Sequence, residues 1–222
     1  MDDASGAGRG TVSVIAIDTA SRTSAWVLRT AADGTVLERC EVPGGELDRR
    51  LPGALAGVLT GDVTAVVVLS GPGSYSGVRA GMAAALGLAD ARRIPLHGLG
   101  NLAAVAAAAQ VAGGRPFRAV ADAGRGGVYV AHFERRDAAI EQVSPVVRME
   151  AGDVDRRLRL FATAVIPGLV TELLDPVEAL AAAIPRALAA PPLVAAGLSA
   201  IHADAAGRRP AGPGLDPSGT AR

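Results

Sequence analysis

Two groups of residues in this 222-residue chain have types and spacing suited to chemistry. One is the run Gly71-Pro72-Gly73-Ser74-Tyr75-Ser76-Gly77-Val78-Arg79-Ala80-Gly81, set between the apolar stretch Val63 to Leu69 and an alanine-rich segment ending near Arg93. A buried strand that enters a glycine loop and leaves as a helix points backbone N–H groups and a helix dipole at one spot, so anion binding is the first chemistry to consider. The details oppose it. A P-loop needs Lys and Ser/Thr after its last glycine, whereas Gly77 is followed by Val78 and Arg79. Gly71, Gly73 and Gly77 miss the dinucleotide fingerprint by one residue, and neither Ser74 nor Ser76 sits in G-x-S-x-G. A packing role fits better. Gly71 and Gly73 permit special backbone angles, Ser74 or Ser76 caps the helix, and Gly77, Gly81 and Ala85 form a small-residue stripe.

The second group is a pair of carboxylates. Asp18 and Asp122 each end an apolar strand and enter a small turn, in the short internal repeat Val14 to Ser21 and Arg118 to Arg125. Each could organise a metal-bound phosphate or cap its own turn. His97, His132 and His202 form no H-x-x-x-H or H-E-x-x-H pair, so no metal site is expected. Cys40 falls in an expected strand with no nearby histidine and reads as a core or edge residue. No catalytic residue emerges.

These residues need elements to position them. Half the chain is hydrophobic but only 3% is aromatic, so alanine, valine and leucine must build the core. All 22 basic residues are Arg, and the formal net charge of zero gives no prior for direct nucleic-acid binding. A single cysteine and the absence of a basic-then-apolar leader in Met1 to Gly10 predict a cytoplasmic protein, and no uncharged run suits a membrane span. Thr11 to Asp18, Ser24 to Arg29 and Thr35 to Val42 read as an antiparallel meander, with Asp33-Gly34 as a hairpin turn. Leu47, Leu51, Leu55, Val58 and Leu59 then recur at helical spacing, with Pro52 bending that helix or marking its first turn. Val63 to Leu69 is a strand, Val78 to Arg93 a helix, Ile94 to Gly98 a strand, and Asn101 caps a helix running to about Ala112. Further on, Val128 to Phe133, Ile140 to Val147 and Ala162 to Ile166 read as strands and Pro176 to Leu188 as a helix.

Three meander strands followed by alternating helices and strands is an α/β order. It describes the ribonuclease-H-like half of the actin-like fold, which contains two such halves. The expected division is 11–113 for the first half, 114–202 for an eroded second half, and 203–222 as a disordered tail. In the ATPases of this fold an Asp at the position of Asp18 organises a metal-bound phosphate, and a glycine-containing hairpin wraps the phosphates. Here Asp18 to Arg22 has no glycine, and Asp122 to Gly127 has three but no Ser or Thr. The scaffold of an ATP-using fold is present with little of its chemistry.

Ile15-Ala16-Ile17-Asp18-Thr19, the run Gly71 to Gly81 and Asp122 to Tyr129 resemble the TsaB family, whose central motif reads G-P-G-S-[FY]-[TS]-G-[LV]-R. The motif loop is Gly71, Pro72, Gly73, Ser74, Gly77 and Arg79. The resemblance covers about Val12 to Phe133 and implies an actin-like fold without catalytic nucleotide chemistry. It also implies a role in threonylcarbamoyladenosine modification of tRNA, through binding of the catalytic paralogue TsaD, with TsaE as a further partner and tRNA contacted only indirectly. The implied contact is a bundle of the first two helices of each subunit. Carried over by position, it involves Leu47, Leu51, Leu55, Val78, Met82 and Leu86, and a homodimer through the same patch is expected when TsaD is absent. No intrinsic cofactor is implied; ATP enters only at or through the partner complex. TsaD carries an H-x-x-x-H motif that is missing here. The chain departs from the family at Leu69-Ser70, where Gly-Arg is usual, and at Pro191-Pro192-Leu193-Val194, which stands where Pro-x-Tyr-Leu-Arg is expected.

The leading expectation is a non-catalytic scaffold that activates TsaD. The alternative is an ATP-dependent kinase or ATPase of the actin-like fold using Asp18 and Asp122. A glycoprotease-like hydrolase is a third reading, opposed by the missing metal pair and nucleophile.

Overall fold

The computed structural model describes residues 12–137 and 139–194. The expectations for Met1 to Gly10, Thr11, His202 and the 203–222 tail lie outside the described residues. The meander is present as β1 (Ser13–Asp18), β2 (Ser24–Ala31) and β3 (Val36–Pro43). All six residues of β1 are buried, as expected for a near-continuous apolar run covered on both faces. Gly34 takes φ +92° in the β2–β3 turn, and the Asp33 carboxylate accepts the Thr35 N–H at 2.8 Å, which is the turn the Asp-Gly pair encodes.

A single 3-10 turn, Gly44–Glu46, leads into α1 (Leu47–Val58). Pro52 does not mark the first turn of that helix. It lies on the exposed side of a helix that continues through it. Then follow β4 (Val63–Leu69), α2 (Tyr75–Arg92), β5 (Leu96–Leu99) and α3 (Asn101–Ala108). Arg93 adopts the left-handed conformation (φ 54°) and ends α2 by donating its N–H back to Ala89 and Asp90. The sheet order is β3-β2-β1-β4-β5, with β4 parallel to β1 and β5 parallel to β4.

The second sheet repeats that plan. It contains β6 (Pro116–Gly124), β7 (Gly127–Arg136), β8 (Ala139–Gln142), β9 (Val147–Glu150), β10 (Leu160–Ala162) and β11 (Glu172–Leu173), ordered β11-β10-β6-β7-β8. β6 and β7 form an antiparallel hairpin, β10 runs parallel to β6, and β11 runs parallel to β10. These are the relations of β1, β2, β4 and β5. The duplication is therefore real, and its erosion is specific: before β10 a 3-10 turn, Ala151–Asp153, and loop stand where α1 precedes β4, and after β10 loop stands where α2 follows it. The fold is actin-like. Several boundaries differ from expectation. The strand expected over Ile140 to Val147 is two short ones, β8 and β9, paired to different stretches of β7 with Ser144-Pro145 between them. Proline has no N–H to give a ladder, which explains the break. The next strand is Leu160–Ala162, not Ala162 to Ile166. Helix α3 stops at Ala108 because alanine-rich sequence alone does not say where a helix ends.

Helix α4 (Pro176–Ala189) follows β11. It packs on the first sheet rather than the second, with Leu180 and Ile184 against Val14, Leu28 and Val67. Helices α1 and α2 cover the opposite face through Leu51, Val58 and Ala85 on Ile15, Ile17 and Val66. Between the sheets, α3 packs Leu102, Val105 and Ala106 on Phe117, Phe133 and Phe161. Phe117 lies 5.9 Å from Phe133 and 5.6 Å from Phe161 between centroids, worth about 0.5–1.5 kcal/mol per pair beyond area burial. Past α4 the chain reaches the edge of β5, where the Leu96 N–H donates to the Val194 carbonyl at 3.0 Å. The Pro191 to Val194 stretch thus begins an antiparallel pairing with the first sheet.

Candidate functional site: the motif helix and the cleft between the sheets

The glycine run joins β4 to α2 and is tied down on both sides. Gly71 takes φ +93°, open mainly to glycine, and its carbonyl accepts the Asn101 N–H at 2.8 Å. The Asn101 side chain donates Nδ2–H to the Pro72 carbonyl at 3.0 Å. Asn101 is therefore not the cap of α3, a position taken by Gly100; its amide holds the motif loop. Ser74 caps α2 by accepting the Gly77 N–H at 3.3 Å, and its own N–H donates to the Ala20 carbonyl at 2.7 Å. The loop is thereby bound to the β1–β2 turn.

The glycines set how close that approach is. A Cβ on Gly73 would stand 2.5 Å from the Ala20 carbonyl oxygen, and one on Gly77 would stand 2.2 Å from that of Thr19. One on Gly81 would meet Thr19 Oγ1 at 2.1 Å. The stripe Gly77, Gly81, Ala85, Ala89 is the buried face of α2. The helix lies directly on the turn that in an ATPase of this fold would enclose phosphates. Thr19 and Ala20 close one side of this strand–loop–helix junction, while on another side Ser74, Ser76 and Gly77 line an open pocket of about 460 Å³ with Arg22, Gly44 and Asp48.

Asp18 and Asp122 occupy matching places at the ends of β1 and β6, and each caps its own turn in the same way. Asp18 accepts the Ala20 N–H and Asp122 the Gly124 N–H, both at 2.8 Å. Asp18 is only 5% exposed, and burial pushes its carboxyl up from 3.8 to about 6, partly opposed by the Ala20 hydrogen bond. Both carboxylates line a cleft between the sheets, with Arg22, Asn101, Thr163 and Val165. Its volume is about 70 Å³, room for a few waters. Arg22 reaches across its mouth from the β1–β2 turn and pairs with Asp122 at 3.5 Å. The Arg22 guanidinium lies over Gly124, where a Cβ would stand 2.0 Å from Nη2.

The residues expected at a helical interface do not share one face. Leu51 is 4% exposed and belongs to the core under α1. Leu47, Leu55 and Met82 are half-buried at the margin of that core. Val78 packs toward the other side, against the cluster that contains α4. Leu86 points outward, 39% exposed, and Tyr75 is 77% exposed. Arg79 covers the Tyr75 ring at 5.2 Å and donates to its hydroxyl at 3.3 Å. Leu86, Met82 and the Tyr75–Arg79 pair thus run along one side of α2. On α1, Gly53 and Gly57 are exposed, and an added Cβ at either would meet nothing within 4 Å.

His97 lies in β5 of the first sheet and His132 in β7 of the second. The described residues hold no group of three His, Cys, Asp or Glu positioned for a metal ion. His132 Nε2 accepts from the buried Arg118 at 2.8 Å, and Arg118 also holds Asp155, so this histidine fastens the loop before β10. Burial, with the nearby Arg118 charge, holds its imidazole below the ordinary 6.5. Cys40 is half-buried in β3. Sequence reasoning missed Arg22 as the group that bridges the cleft. The one available signal was an arginine in the first turn at the point where the second turn has glycines.

The family model for TsaD, tRNA N6-adenosine threonylcarbamoyltransferase, matches residues 54–200. The chain is 32% identical over 147 residues to the tRNA threonylcarbamoyladenosine biosynthesis protein TsaB of Escherichia coli, covering 62% of this chain and 63% of that protein. It is 38% identical over 88 residues to the Bacillus subtilis protein of the same name, covering 38% of this chain and 36% of that one. The chain thus covers less than two thirds of the length of either relative. Among solved structures, YeaZ from Pseudomonas aeruginosa superposes with a TM-score of 0.60 at 24% identity, over 80% of this chain and 92% of that one, a likeness in fold.

Proposed function

The chain belongs to the TsaB family, built on the TsaD-type domain, and from that premise we propose that it serves threonylcarbamoyladenosine biosynthesis on tRNA as a non-catalytic subunit. In this reading it binds and activates the catalytic paralogue TsaD through the outward side of α1 and α2, with TsaE as a further partner of the assembly. The same side would pair two copies of the chain when TsaD is absent. The observation that carries the reading is the seating of α2. Gly77 and Gly81 bring it onto Thr19, which puts Met82 at the margin of the core and leaves Leu86 exposed along the helix. The cleft at Asp18 and Asp122, about 70 Å³, is far below the roughly 300–1,000 Å³ of small-ligand pockets, and in this reading nucleotide is held at or through the partner complex.

Co-purification with TsaD from the same organism tests this. The wild-type chain is expected to be retained and Leu86→Arg to be lost, since a charge at a packed helical seam is left without a partner. Failure of the wild-type chain to associate sinks the proposal. The ATPase reading keeps one observation in its favour, the perturbed Asp18 carboxyl facing the cleft. Calorimetric titration with ATP and magnesium decides it. Binding that disappears in Asp18→Asn would replace the scaffold reading with an enzyme.

A further inference from the structure

The formal charge of the chain is zero, yet its charges are segregated where β6 begins. Arg115, Arg157 and Arg159 line one open groove of about 370 Å³, with Val111, Pro116 and Leu158 among its apolar walls. The three arginines are not equivalent. Arg159 is fully engaged: it clasps Glu172 at 2.6 and 2.5 Å, donates to the Gln110 carbonyl at 2.9 Å, and lies 4.8 Å from the Phe161 centroid. It forms a fixed wall. Arg157 is 92% exposed, and its carboxylate neighbour is Asp155 at 3.9 Å. Asp155 is already paired with the buried Arg118 at 3.4 Å. Arg115 is exposed and makes no hydrogen bond or ion pair with any described residue. Arg115, Arg118, Arg157 and Arg159 set against Asp155 and Glu172 leave a surplus of two positive charges here.

We propose that this groove is a contact site for the phosphate backbone of RNA, with Arg115 and Arg157 as the phosphate-binding side chains. The choice of RNA rests on the tRNA reading above, from which it departs in making the contact direct; the need for a polyanion rests on the geometry. One phosphate ion at so exposed an edge gains at most about 1 kcal/mol per pair and would be held weakly. A nucleic-acid strand adds counterion release at every phosphate it neutralises, so exposed guanidiniums suffice. The exposed guanidinium planes of Arg115 and Arg157 also offer surfaces on which bases stack, which an acidic peptide does not use. This site lies at the start of β6, whereas the cleft lies at its end, and it involves neither α1 nor α2.

The test is fluorescence anisotropy of a labelled, unmodified tRNA transcript with the full chain across a salt series. Arg115→Gln/Arg157→Gln is expected to weaken binding about tenfold at low salt and to reduce the slope of log affinity against log salt by about 2. Both positions are exposed, so an unchanged thermal midpoint is expected to accompany the loss. Equal slopes for wild type and variant overturn the proposal, as does absence of wild-type binding. Competition by poly-glutamate as effective as that by unlabelled tRNA overturns the choice of RNA in favour of an acidic peptide. Retention of TsaD by the same double variant keeps this outcome separate from that of the scaffold reading.

Discussion

Asp18 carries a charge that its surroundings oppose, and this gives a prediction in pH. Its carboxyl titrates near 6 in the folded chain against 3.8 ordinarily, so the folded state holds a proton that the unfolded state has lost between those values. Stability must fall as pH rises through that window, by up to about 3 kcal/mol. Asp18→Asn keeps an acceptor for the Ala20 N–H and removes the charge. Denaturant unfolding of this variant across the window is expected to show that slope flattened and the neutral-pH stability raised. His132 works in the opposite sense. Its folded value is held below 6.5, so its contribution is present above 6.5 and is lost as pH falls below it. His132→Gln is expected to remove that acid-side loss. The two aspartates were legible in the sequence because each ends an apolar strand in the same short pattern. Arg22 and the amide role of Asn101 were not, because both depend on segments far apart in the chain meeting across the fold. No local pattern encodes that Arg22 lies over Gly124, or that Asn101 reaches Pro72.

At the scale of elements, the seating of α2 makes opposite predictions for glycines of the same helix. Gly77→Ala would drive a methyl group into the Thr19 carbonyl, a backbone atom that has little room to yield, and should destabilise by about 1–3 kcal/mol. Gly87 faces open space, and Gly87→Ala should stabilise by about 0.5–1 kcal/mol through helix propensity. Urea unfolding of the two variants checks both signs at once. Leucines separate in the same way. Leu51→Ala opens the core under α1 and should cost about 2–5 kcal/mol, whereas Leu86→Ala should leave the unfolding midpoint near wild type. Helical spacing in α1 marked Leu47, Leu51 and Leu55 together. It could not say which of them faces the sheet, since periodicity locates an apolar stripe but not the direction from which the sheet arrives. Strand β4 was legible to the residue because a β-branched run bounded by polar and glycine signals admits little else. The break between β8 and β9 had a signal in Pro145, which the apolar Val143, Val146 and Val147 on either side outweighed.

The whole molecule consists of two sheets of the same plan joined by helices that do not respect the division between them. Helix α3 fills the space between the sheets, and α4, made after the second sheet, returns to cover the first. This tie, together with the Arg22–Asp122 pair, narrows the cleft in which related folds hold a nucleotide. The salt bridge is half exposed and worth at most about 1 kcal/mol, so the helices do most of the holding. What the fold presents is therefore a surface, the outward side of α1 and α2, which we propose TsaD occupies. The decisive measurement is a calorimetric titration of TsaD from the same organism with the wild-type chain, Leu86→Arg and Asp18→Asn. Wild type and Asp18→Asn are expected to bind with the same affinity, and Leu86→Arg at least about tenfold more weakly, a loss of about 1.4 kcal/mol. Equal binding by all three, or none by the wild type, would rule out this surface as the TsaD contact.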